Sequence, residues 1–396
     1  MMPPENKPSE KLRVAVISHL YPDILHPFQG KFIKDHVELL AELPKINQSL
    51  IVPTPYSIPF TKRKKKNKAR LLTQNFSADR INYLSFPKKR FPEIIIRSLS
   101  SKIEKHFSNN FYDIVHVHWL YPDGLCIPTL KKLGFKTILT IHGSDWYKNI
   151  NNPSLITLIK VTLQSADRIL LVGPELLNDI KTKFPEYGNK LYQIGNFVDE
   201  SLYLPPNKEE KNDAQEKLKW PTQKKHVLTV ANFRKEKGVD ILIEAVNNLP
   251  DTITDIHFHI VGAHDSESLT LPSSPDNISF HPPVSPHDLI TYYQASDAYI
   301  SPSRKEGFGL ALIEAAACGL PIVATSTGIA PKFIDDTVGL LCPTNNSSEM
   351  AVSIYELFEI LEKYSPKKIR DKAIQMFGKE TYREKLITHY RECFTG

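Results

Sequence analysis

Short apolar strands alternate with helical stretches along this chain, and no other feature constrains its fold as strongly. The first strand is predicted over residues 12–18, and a helix follows over 32–43, where apolar residues recur at helical spacing. Further strands of this kind are predicted at 50–52, 113–118, 137–142 and 168–172. Because parallel neighbours need a long crossover between them, this alternation indicates a parallel, doubly wound sheet.

The alternation runs a second time after a polar, proline-rich stretch over residues 203–221. Strands are predicted at 226–231, 256–261, 298–301 and 321–325, and helices at 239–248, 286–295, 310–318, 347–364 and, with a break near Gly378, 366–394. The sequence therefore predicts an α/β protein with a domain over 1–200, a linker over 201–222, a second domain over 223–378 and a final helix over 379–396. Ligands of doubly wound folds bind at the carboxyl ends of strands, and a cleft between two domains is the usual site.

The composition is that of a globular enzyme and excludes several other classes. The 396 residues suffice for two or three domains, with 41% hydrophobic and 24% charged residues. The four cysteines lie far apart without a Cys-x-x-Cys pair, which predicts neither a disulfide framework nor a zinc site and fits a reducing compartment. No apolar segment resembles a signal peptide or approaches the ~18 residues that span a bilayer, so we expect a cytoplasmic protein.

The net charge of +6 is unevenly distributed along the chain. One segment contains seven basic residues, Lys62, Arg63, Lys64, Lys65, Lys66, Lys68 and Arg70, and a smaller cluster of Lys88, Lys89 and Arg90 follows. Such a run is either a solvated loop or a surface that contacts anions. Each basic residue near an anionic leaflet adds about 1 kcal/mol of binding free energy, so peripheral membrane attachment is one interpretation. Nucleic acid is not an expected partner, because no nucleic-acid-binding module surrounds the run.

Two carboxylates, Glu306 and Glu314, flank a predicted anion site. Glu306 precedes a Gly-Phe-Gly turn, and Glu314 is the charged residue of an apolar helix that starts after Gly309. A helix start offers unpaired N–H groups and a positive dipole end, which suits phosphate. Glu314 lies about 7 Å further along the axis, at ~1.5 Å rise per residue, where it could bind ribose hydroxyls. The same residues are compatible with a plain turn and a core glutamate paired with an arginine. Glycoside hydrolysis by the two carboxylates is disfavoured, because Glu314 on a buried helix would activate water poorly.

Four polar segments follow predicted strands, and we expect them to project into one interdomain cleft. They are residues 18–31, where Gly30 opens a helix; 116–124, with His116 and His118; 140–145, with His142; and 231–238, with Arg234 and Lys237. Arg234 and Lys237 offer positive charge that can stabilise a leaving diphosphate without a metal ion. His116 and His118 share one face of a strand, but no acidic third ligand has suitable spacing, so we expect no metal site.

The segment from Glu306 to Glu314, Glu-Gly-Phe-Gly-Leu-Ala-Leu-Ile-Glu, with Ala-Cys-Gly-Leu-Pro-Ile-Val-Ala-Thr after it, resembles the signature of the retaining glycosyltransferase family 4 (group 1). The Gly30 loop, His-Trp-Leu-Tyr-Pro-Asp-Gly at 118–124, His-Gly-Ser-Asp at 142–145, Asn-Phe-Val-Asp at 196–199 and Lys237-Gly238 match further parts of the family pattern, in order. The resemblance covers nearly the whole chain. It implies the GT-B fold, in which two Rossmann-like domains face each other across a cleft, the first on the acceptor side, with the last helix crossing back to it.

The resemblance also implies a reaction and residue roles. The reaction would be retaining, metal-independent transfer of a sugar from a nucleotide-sugar donor to a glycan or lipid-linked glycan. Glu314 would hold the donor ribose, and Glu306 a hydroxyl of the donor sugar. The remaining implied contacts are Lys237 and Gly30 with the diphosphate, Phe308, Gly309 and Leu310 along it, His142 with the sugar, and the backbone of Val284 with the base.

Two departures from the family pattern bear on these roles. Asn232 stands where the family usually has an arginine of the diphosphate site, and Arg234, two residues later, is the candidate replacement. The family's frequent Gly-Gly-Ile-Pro-Glu becomes Thr327-Gly-Ile-Ala-Pro331, without the glutamate. The alternatives that stay open are another GT-B activity, such as a phosphorylase or an epimerase, and a non-catalytic subunit that binds nucleotide sugars.

Overall fold

The chain forms two compact units. The computed structural model describes residues 11–26, 29–56, 71–73, 76–86, 90–250, 255–263 and 271–395. The first unit contains Met1–Val172, Leu176–Ile194 and Arg383–Gly396, and the second contains Gly173–Glu175 and Gly195–Tyr382. Residues 201–222, predicted as a linker, therefore belong to the second unit.

A parallel sheet of seven strands forms the centre of the first unit. Its strands are β1 (Leu12–Ile17), β2 (Ile46–Tyr56), β3 (Ser77–Leu84), β4 (Ile114–His118), β5 (Lys136–Ile141), β6 (Arg168–Leu171) and β7 (Leu191–Gln193). Their order is β3-β2-β1-β4-β5-β6-β7. The chain reverses its direction of winding between β1 and β4, which pair in register from Val14 with Ile114. Every residue of β4 is buried, as expected for a strand with helices on both faces.

The second unit repeats this plan with six parallel strands. They are β8 (Lys225–Val230), β9 (Ile256–Val261), β10 (Ile278–His281), β11 (Ala298–Ser301), β12 (Ile322–Thr325) and β13 (Gly339–Cys342). Their order is β10-β9-β8-β11-β12-β13, so the winding reverses between β8 and β11. Phe258 and Ile260 of β9 belong to a buried apolar cluster on one face of this sheet. Each such side chain contributes about 1.5–3 kcal/mol on full burial.

Helices connect the strands in both units. They are α1 (Lys31–Ala41), α2 (Pro92–Phe107), α3 (Ile127–Lys132), α4 (Ser144–Tyr147), α5 (Pro153–Ser165), α6 (Pro174–Lys183), α7 (Lys208–Leu218), α8 (Val239–Asn247), α9 (Pro286–Ala295), α10 (Leu310–Ala317), α11 (Ala330–Phe333), α12 (Ser347–Glu359), α13 (Pro366–Phe377) and α14 (Lys379–Thr395). α13 and α14 flank the predicted break at Gly378. The predicted helix over 347–364 ends as α12 at Glu359, and a short 3₁₀ segment follows at Leu361–Lys363.

The strands that the sequence analysis missed are the edge strands of both sheets: β3, β7, β10 and β13. Central strands such as β9 have the predicted bounds. β3 is mostly exposed or half-buried, and β7 has a single buried residue in three. An edge strand has one neighbour and less cover, so its sequence lacks the continuous apolar run that identifies a central strand.

Gly30 fixes how the chain enters α1. Its φ is +75°, and a Cβ atom there would lie 2.6 Å from the backbone oxygen of Leu20. The positive φ and the close approach both favour glycine. The turn before α1 therefore packs in direct contact with the backbone of the segment that follows β1.

Candidate functional site

The carboxylate of Glu314 is held on both sides. α10 begins after Gly309, whose φ is +105°, and places Glu314 within the second unit at 8% exposure. Its Oε1 accepts a hydrogen bond from the hydroxyl of Tyr203 at 2.8 Å, and its Oε2 accepts one from Tyr293 at 2.9 Å. The two bonds hold both carboxylate oxygens in a defined orientation. Two tyrosines are thus among the partners of this glutamate, for which the sequence had suggested a core arginine.

A second carboxylate, Glu306, forms an ion pair with Lys237. The Nζ of Lys237 lies 2.5 Å from Oε1 of Glu306, which also accepts a hydrogen bond from Ser303 at 2.9 Å. Both charged side chains are partly exposed, at 34% and 15%. The structure therefore brings together two of the predicted catalytic residues, which lie 69 residues apart in the chain.

Backbone packing explains why these two segments meet. Gly238 has a φ of +66°, and a Cβ atom there would lie 2.0 Å from the oxygen of Pro302. Beside this contact, the two terminal nitrogens of Arg304, Nη1 and Nη2, donate to the carboxylate of Asp240 at 2.7 and 2.6 Å. A bidentate pair fixes orientation as well as distance. The loop after β11 is thereby fastened to the loop after β8.

Of the other residues predicted to contact the donor, Gly30 lies in the first unit, and those described next lie in the second unit. The ring of Phe308 is 4% exposed and packs on Phe377, so its backbone alone is available to a ligand. Asn232 is exposed, and its side-chain oxygen accepts from the backbone nitrogen of Ala263 at 3.0 Å, which holds the loop after β9. Arg234 is exposed, and Val284 is half-buried in the segment before α9.

Glu175 contacts the segment at 327–331, where the family's usual glutamate is missing. The backbone nitrogen of Gly328 donates to Oε1 of Glu175 at 3.0 Å. A Cβ atom on Gly328 would lie 2.8 Å from Cβ of Glu306, so the segment at 327–328 packs directly on the Glu306 turn. Glu175 lies 153 residues away in the chain, and no local motif indicates it.

In the first unit, His142 is bonded to a second histidine. Its Nε2 lies 3.1 Å from Nδ1 of His118, and its ring packs against Trp119 and Phe32. The backbone nitrogen of His142 donates to Oδ1 of Asp145 at 3.0 Å. Burial raises the pKa of Asp145 to about 6. It lowers the pKa of His142 to about 3 and the pKa of His118 well below its usual value, so the imidazoles of His118 and His142 are both neutral near pH 7.

His116 and His118, the possible metal ligands of the sequence analysis, form a packed cluster with His36. Ring nitrogens of the three histidines lie within 4.8 Å of one another. Both nitrogens of His116 are engaged, with the hydroxyl of Tyr390 at 2.8 Å and that of Thr140 at 2.7 Å. The rings of His116 and His118 are stacked 4.3 Å apart at 25°. An ion bound by His116 would therefore have to replace one of its two hydrogen bonds.

A contact that the sequence analysis missed joins two of its four strand-end segments. Nδ1 of His19 lies 2.8 Å from Oδ2 of Asp123, although 104 residues separate them. The sequence marked both segments as polar strand ends, and β1 and β4 are neighbours in the sheet. Pairing of those two strands would have been the only signal for this contact.

The two basic clusters lie almost entirely outside the described residues. Lys62 to Arg70 fall in residues 57–70 and Lys88 and Lys89 in residues 87–89, none of which the structure describes. Arg90 is described and exposed. Among the described residues, none of the helices combines the length and apolar character needed to cross a membrane.

Comparison with known proteins supplies the family. The model "Glycosyltransferase Family 4" matches residues 59–202, and "Glycosyl transferases group 1" matches residues 210–376. N-acetyl-alpha-D-glucosaminyl L-malate synthase of Bacillus anthracis is 25% identical over 75% of this chain and 78% of its own length. D-inositol 3-phosphate glycosyltransferase of Arthrobacter sp. is 25% identical over 69% of each chain. The putative teichuronic acid biosynthesis glycosyltransferase TuaC of Bacillus subtilis is 24% identical over 87% of this chain and 88% of its own.

Solved structures agree on the fold. Sucrose-phosphate synthase from Thermosynechococcus elongatus superposes with a TM-score of 0.74 at 19% identity, over 97% of this chain and 100% of its own. Anabaena HepE in complex with UDP-glucose superposes with a TM-score of 0.69 at 14% identity, over 96% of this chain and 100% of its own. The two parallel-sheet units are thus the Rossmann-like domains of the GT-B fold, as the sequence predicted. With family models matching most of both units, the chain belongs to the group 1 glycosyltransferases of glycosyltransferase family 4.

Proposed function

We propose that this glycosyltransferase is retaining and metal-independent, and that it moves a hexose from a nucleotide sugar to a glycan or lipid-linked glycan. The observation that carries the donor half is the Glu314 carboxylate, held by two tyrosine hydroxyls four residues into a helix that opens after Gly309. The helix start suits a diphosphate, and an oriented carboxylate further along the same helix suits ribose hydroxyls. The UDP-glucose complex of the structurally similar HepE supports a nucleotide-sugar donor.

The pair of Lys237 and Glu306 supplies the charge chemistry of this proposal. When the bond between sugar and diphosphate breaks, negative charge develops on the diphosphate, and Lys237 would stabilise it together with the first-turn amides of α10. Glu306 would accept a hydrogen bond from a hydroxyl of the sugar. Arg234 would add a second cation in place of the family arginine absent at Asn232. The acceptor oxygen attacks the anomeric carbon on the face that the diphosphate leaves, and the acceptor proton passes to a diphosphate oxygen.

The names of the relatives support the acceptor half of the proposal, and the basic run supports the location of the enzyme. TuaC, which aligns over 88% of its own length, is named for teichuronic acid biosynthesis, and this favours a glycan acceptor for polysaccharide or glycolipid biosynthesis. The malate and inositol-phosphate names of other relatives favour a small acceptor as the second candidate. The basic run at 62–70 supports peripheral attachment to the cytoplasmic face of an anionic membrane. Absence of flotation with anionic liposomes at low salt would remove that attachment from the proposal.

A thermal-shift experiment in EDTA tests the donor half. The protein is heated with UDP, GDP and ADP and with their common sugar conjugates. A ligand at 100 times its dissociation constant adds about 2.7 kcal/mol of stability, which raises the Tm by a few degrees. We expect one nucleotide to give this shift, Glu314→Ala to lose it, and Glu356→Ala, a change at an exposed glutamate of α12, to keep it.

The same preparation separates the alternatives. Turnover of the matching nucleotide sugar is expected with a sugar acceptor. A requirement for inorganic phosphate would point to a phosphorylase, and conversion of the sugar without transfer would point to an epimerase. Nucleotide binding without turnover of any conjugate would point to a non-catalytic binding subunit. If no nucleotide shifts the Tm of the wild-type protein, the proposed donor site is wrong.

A further inference from the structure

His19 and Asp123 form a histidine–carboxylate pair at the carboxyl ends of β1 and β4. Oδ2 of Asp123 accepts hydrogen bonds from both the backbone nitrogen of His19, at 2.7 Å, and its Nδ1, at 2.8 Å. The Asp123 side chain is fully buried, and the His19 side chain is 21% exposed. Because an ionised carboxylate only accepts, Nδ1 carries the proton of this bond. In the neutral ring, Nε2 is then a hydrogen-bond acceptor, and Asp123 fixes that tautomer.

His19 lines a small cavity of about 30 Å³ within the first unit, which has room for one hydroxyl group of a ligand rather than for a whole sugar. Polar side chains of Gln29, Thr54 and Arg80 share the lining, and prolines 53 and 55 of β2 supply an apolar part. The single cation is compensated, because Nη2 of Arg80 lies 3.4 Å from Oδ2 of Asp23, and its Nη1 donates to Thr54 at 3.2 Å. The described lining therefore offers hydrogen-bond donors and acceptors beside apolar carbon without excess charge. That combination matches a neutral, polyhydroxylated molecule better than a carboxylate or a phosphate.

Trp119 connects the pair to His142. Its ring centroid lies 5.8 Å from that of His19 and 4.6 Å from that of His142. The backbone of Trp119 has a φ of +77°, which is strained for a bulky residue, and its buried Nε1 has no hydrogen-bond partner among the described residues. Oδ1 of Asp123 is buried without a described partner as well. Strained backbone and unsatisfied buried polar atoms concentrate at functional sites.

We propose that His19, fixed by Asp123, binds a hydroxyl of a neutral, polyhydroxylated acceptor, and that its neighbours in the cavity hold one edge of that molecule. The hydroxyl donates to Nε2 of His19, and no covalent bond changes at this contact. His19 is then a binding residue, and Asp123 is a positioning residue that acts through it. The inference rests on the proposed transferase function and names the acceptor contacts of the first unit.

Saturation-transfer NMR on the full chain tests the proposal directly. The neutral probes are methyl α-D-glucopyranoside and myo-inositol, and the anionic probes are L-malate and inositol phosphate. We expect signals from a neutral probe with the wild-type protein, about tenfold weaker binding with His19→Ala, and unchanged binding with His287→Ala, a change at an exposed histidine of α9. Asp123→Asn keeps an oxygen that can accept both bonds and should retain binding, whereas Asp123→Ala should lose it.

The nucleotide thermal shift, recorded on the same samples, keeps the two proposals separate. His19→Ala and Asp123→Asn should keep the wild-type shift, which also shows that the variants are folded. Equal probe binding by His19→Ala and wild type, or no neutral-probe signal with a wild type that does bind nucleotide, overturns the inference. Stronger, salt-sensitive signals from the anionic probes overturn the neutral class of acceptor. Loss of the wild-type nucleotide shift contradicts the donor site instead.

Discussion

The two units share one architecture, but the polar groups at their candidate sites differ in how fully they are hydrogen-bonded. In the second unit, both oxygens of Glu314 are bonded to tyrosine hydroxyls, and Glu306 is paired with Lys237. In the first unit, Nε1 of Trp119, Oδ1 of Asp123 and Nε2 of His118 are buried without hydrogen-bond partners among the described residues.

The difference is that the polar groups at the second unit's site already have hydrogen-bond partners, whereas several at the first unit's site have none among the described residues. A preorganised carboxylate binds its ligand without first paying to reorient, which suits a part of the substrate that is always the same. Each unsatisfied buried group costs about 1–3 kcal/mol, and a ligand that supplies the missing partner recovers that cost. The comparison therefore favours the proposal that the second unit binds the constant nucleotide and the first unit the variable acceptor.

The largest expected effect is on turnover, through the charge pair of the second unit. Lys237→Ala should lower kcat by about 10²–10³, the loss seen when one preorganised donor to a developing oxyanion is removed. Lys235→Ala changes an exposed lysine two residues away and should have little effect. The measurement is release of the nucleoside diphosphate from the matched donor. Equal losses in the two variants would show that net charge, rather than the pair with Glu306, is what matters.

A smaller effect is expected on donor affinity when the support of Glu314 is removed. Tyr203→Phe and Tyr293→Phe each delete a hydrogen bond to a charged acceptor, worth about 1.5–3 kcal/mol, so nucleotide binding should weaken roughly tenfold or more. Calorimetric titration measures it, with Tyr292→Phe as the neighbouring control.

The decisive step is a double-mutant cycle with Glu314→Ala. If the tyrosines act by holding the carboxylate, their replacement should have no further effect on nucleotide affinity once the carboxylate is gone. Additive losses would mean that the tyrosines stabilise the unit in general, and the contrast between the two units would weaken.

Acid should destabilise the second unit through a chain of buried histidines. Nδ1 of His226 lies 3.0 Å from Nε2 of His259, whose Nδ1 lies 3.0 Å from Nε2 of His281. Burial lowers the pKa of His259 to about 2 and lowers the pKa values of His226 and His281. The unfolded chain therefore binds more protons than the folded chain as the pH falls below about 6.5, and folding stability falls with it.

The expected slope reaches at most about 1.4 kcal/mol per pH unit for each histidine that stays neutral in the folded protein. Urea unfolding at pH 7.5 and pH 5.5 measures it. His259→Phe keeps a ring that can stack on Trp220, which lies 3.5 Å away, and should reduce the dependence of stability on pH. An unchanged dependence would place the titrating groups elsewhere, for example among His36, His116 and His118 of the first unit, whose pKa values burial also lowers.

The last prediction is that removal of divalent cations has no effect on the rate of transfer. Because Lys237 and the α10 amides are proposed to meet the charge of the leaving diphosphate, EDTA should leave the rate of transfer unchanged. A rate that falls on chelation and returns with Mg²⁺ would require a cation in the donor site and would revise the roles of Lys237 and Arg234.

The central strands and the two-domain plan were predictable because they rest on local periodicity. Strand β9 and helix α9 have the predicted bounds, whereas all four edge strands were missed, since partial exposure removes their apolar signal. The positions of Glu306 and Glu314 were also predictable, because a glycine turn and a charge in an apolar helix are visible in a short segment.

The partners of those residues were not predictable from local sequence. Tyr203 and Glu314 are 111 residues apart, Gly328 and Glu175 are 153 apart, and His19 and Asp123 are 104 apart. Such pairs depend on strand order and on loop packing, which a single sequence does not reveal. What the sequence supplies is which residues carry chemistry, and what the fold adds is which of them are neighbours.

The discontinuous first unit has a consequence for biosynthesis. Its final segment, Arg383–Gly396, includes Tyr390, whose hydroxyl bonds to the buried His116 of β4. Arg168, on β6, forms an ion pair with Glu392 of the same segment, at 2.7 Å. A ribosome has therefore translated the whole second unit before the first can acquire these contacts. We therefore expect the β4 region of a nascent chain to stay incompletely packed until residues 383–395 have left the ribosome.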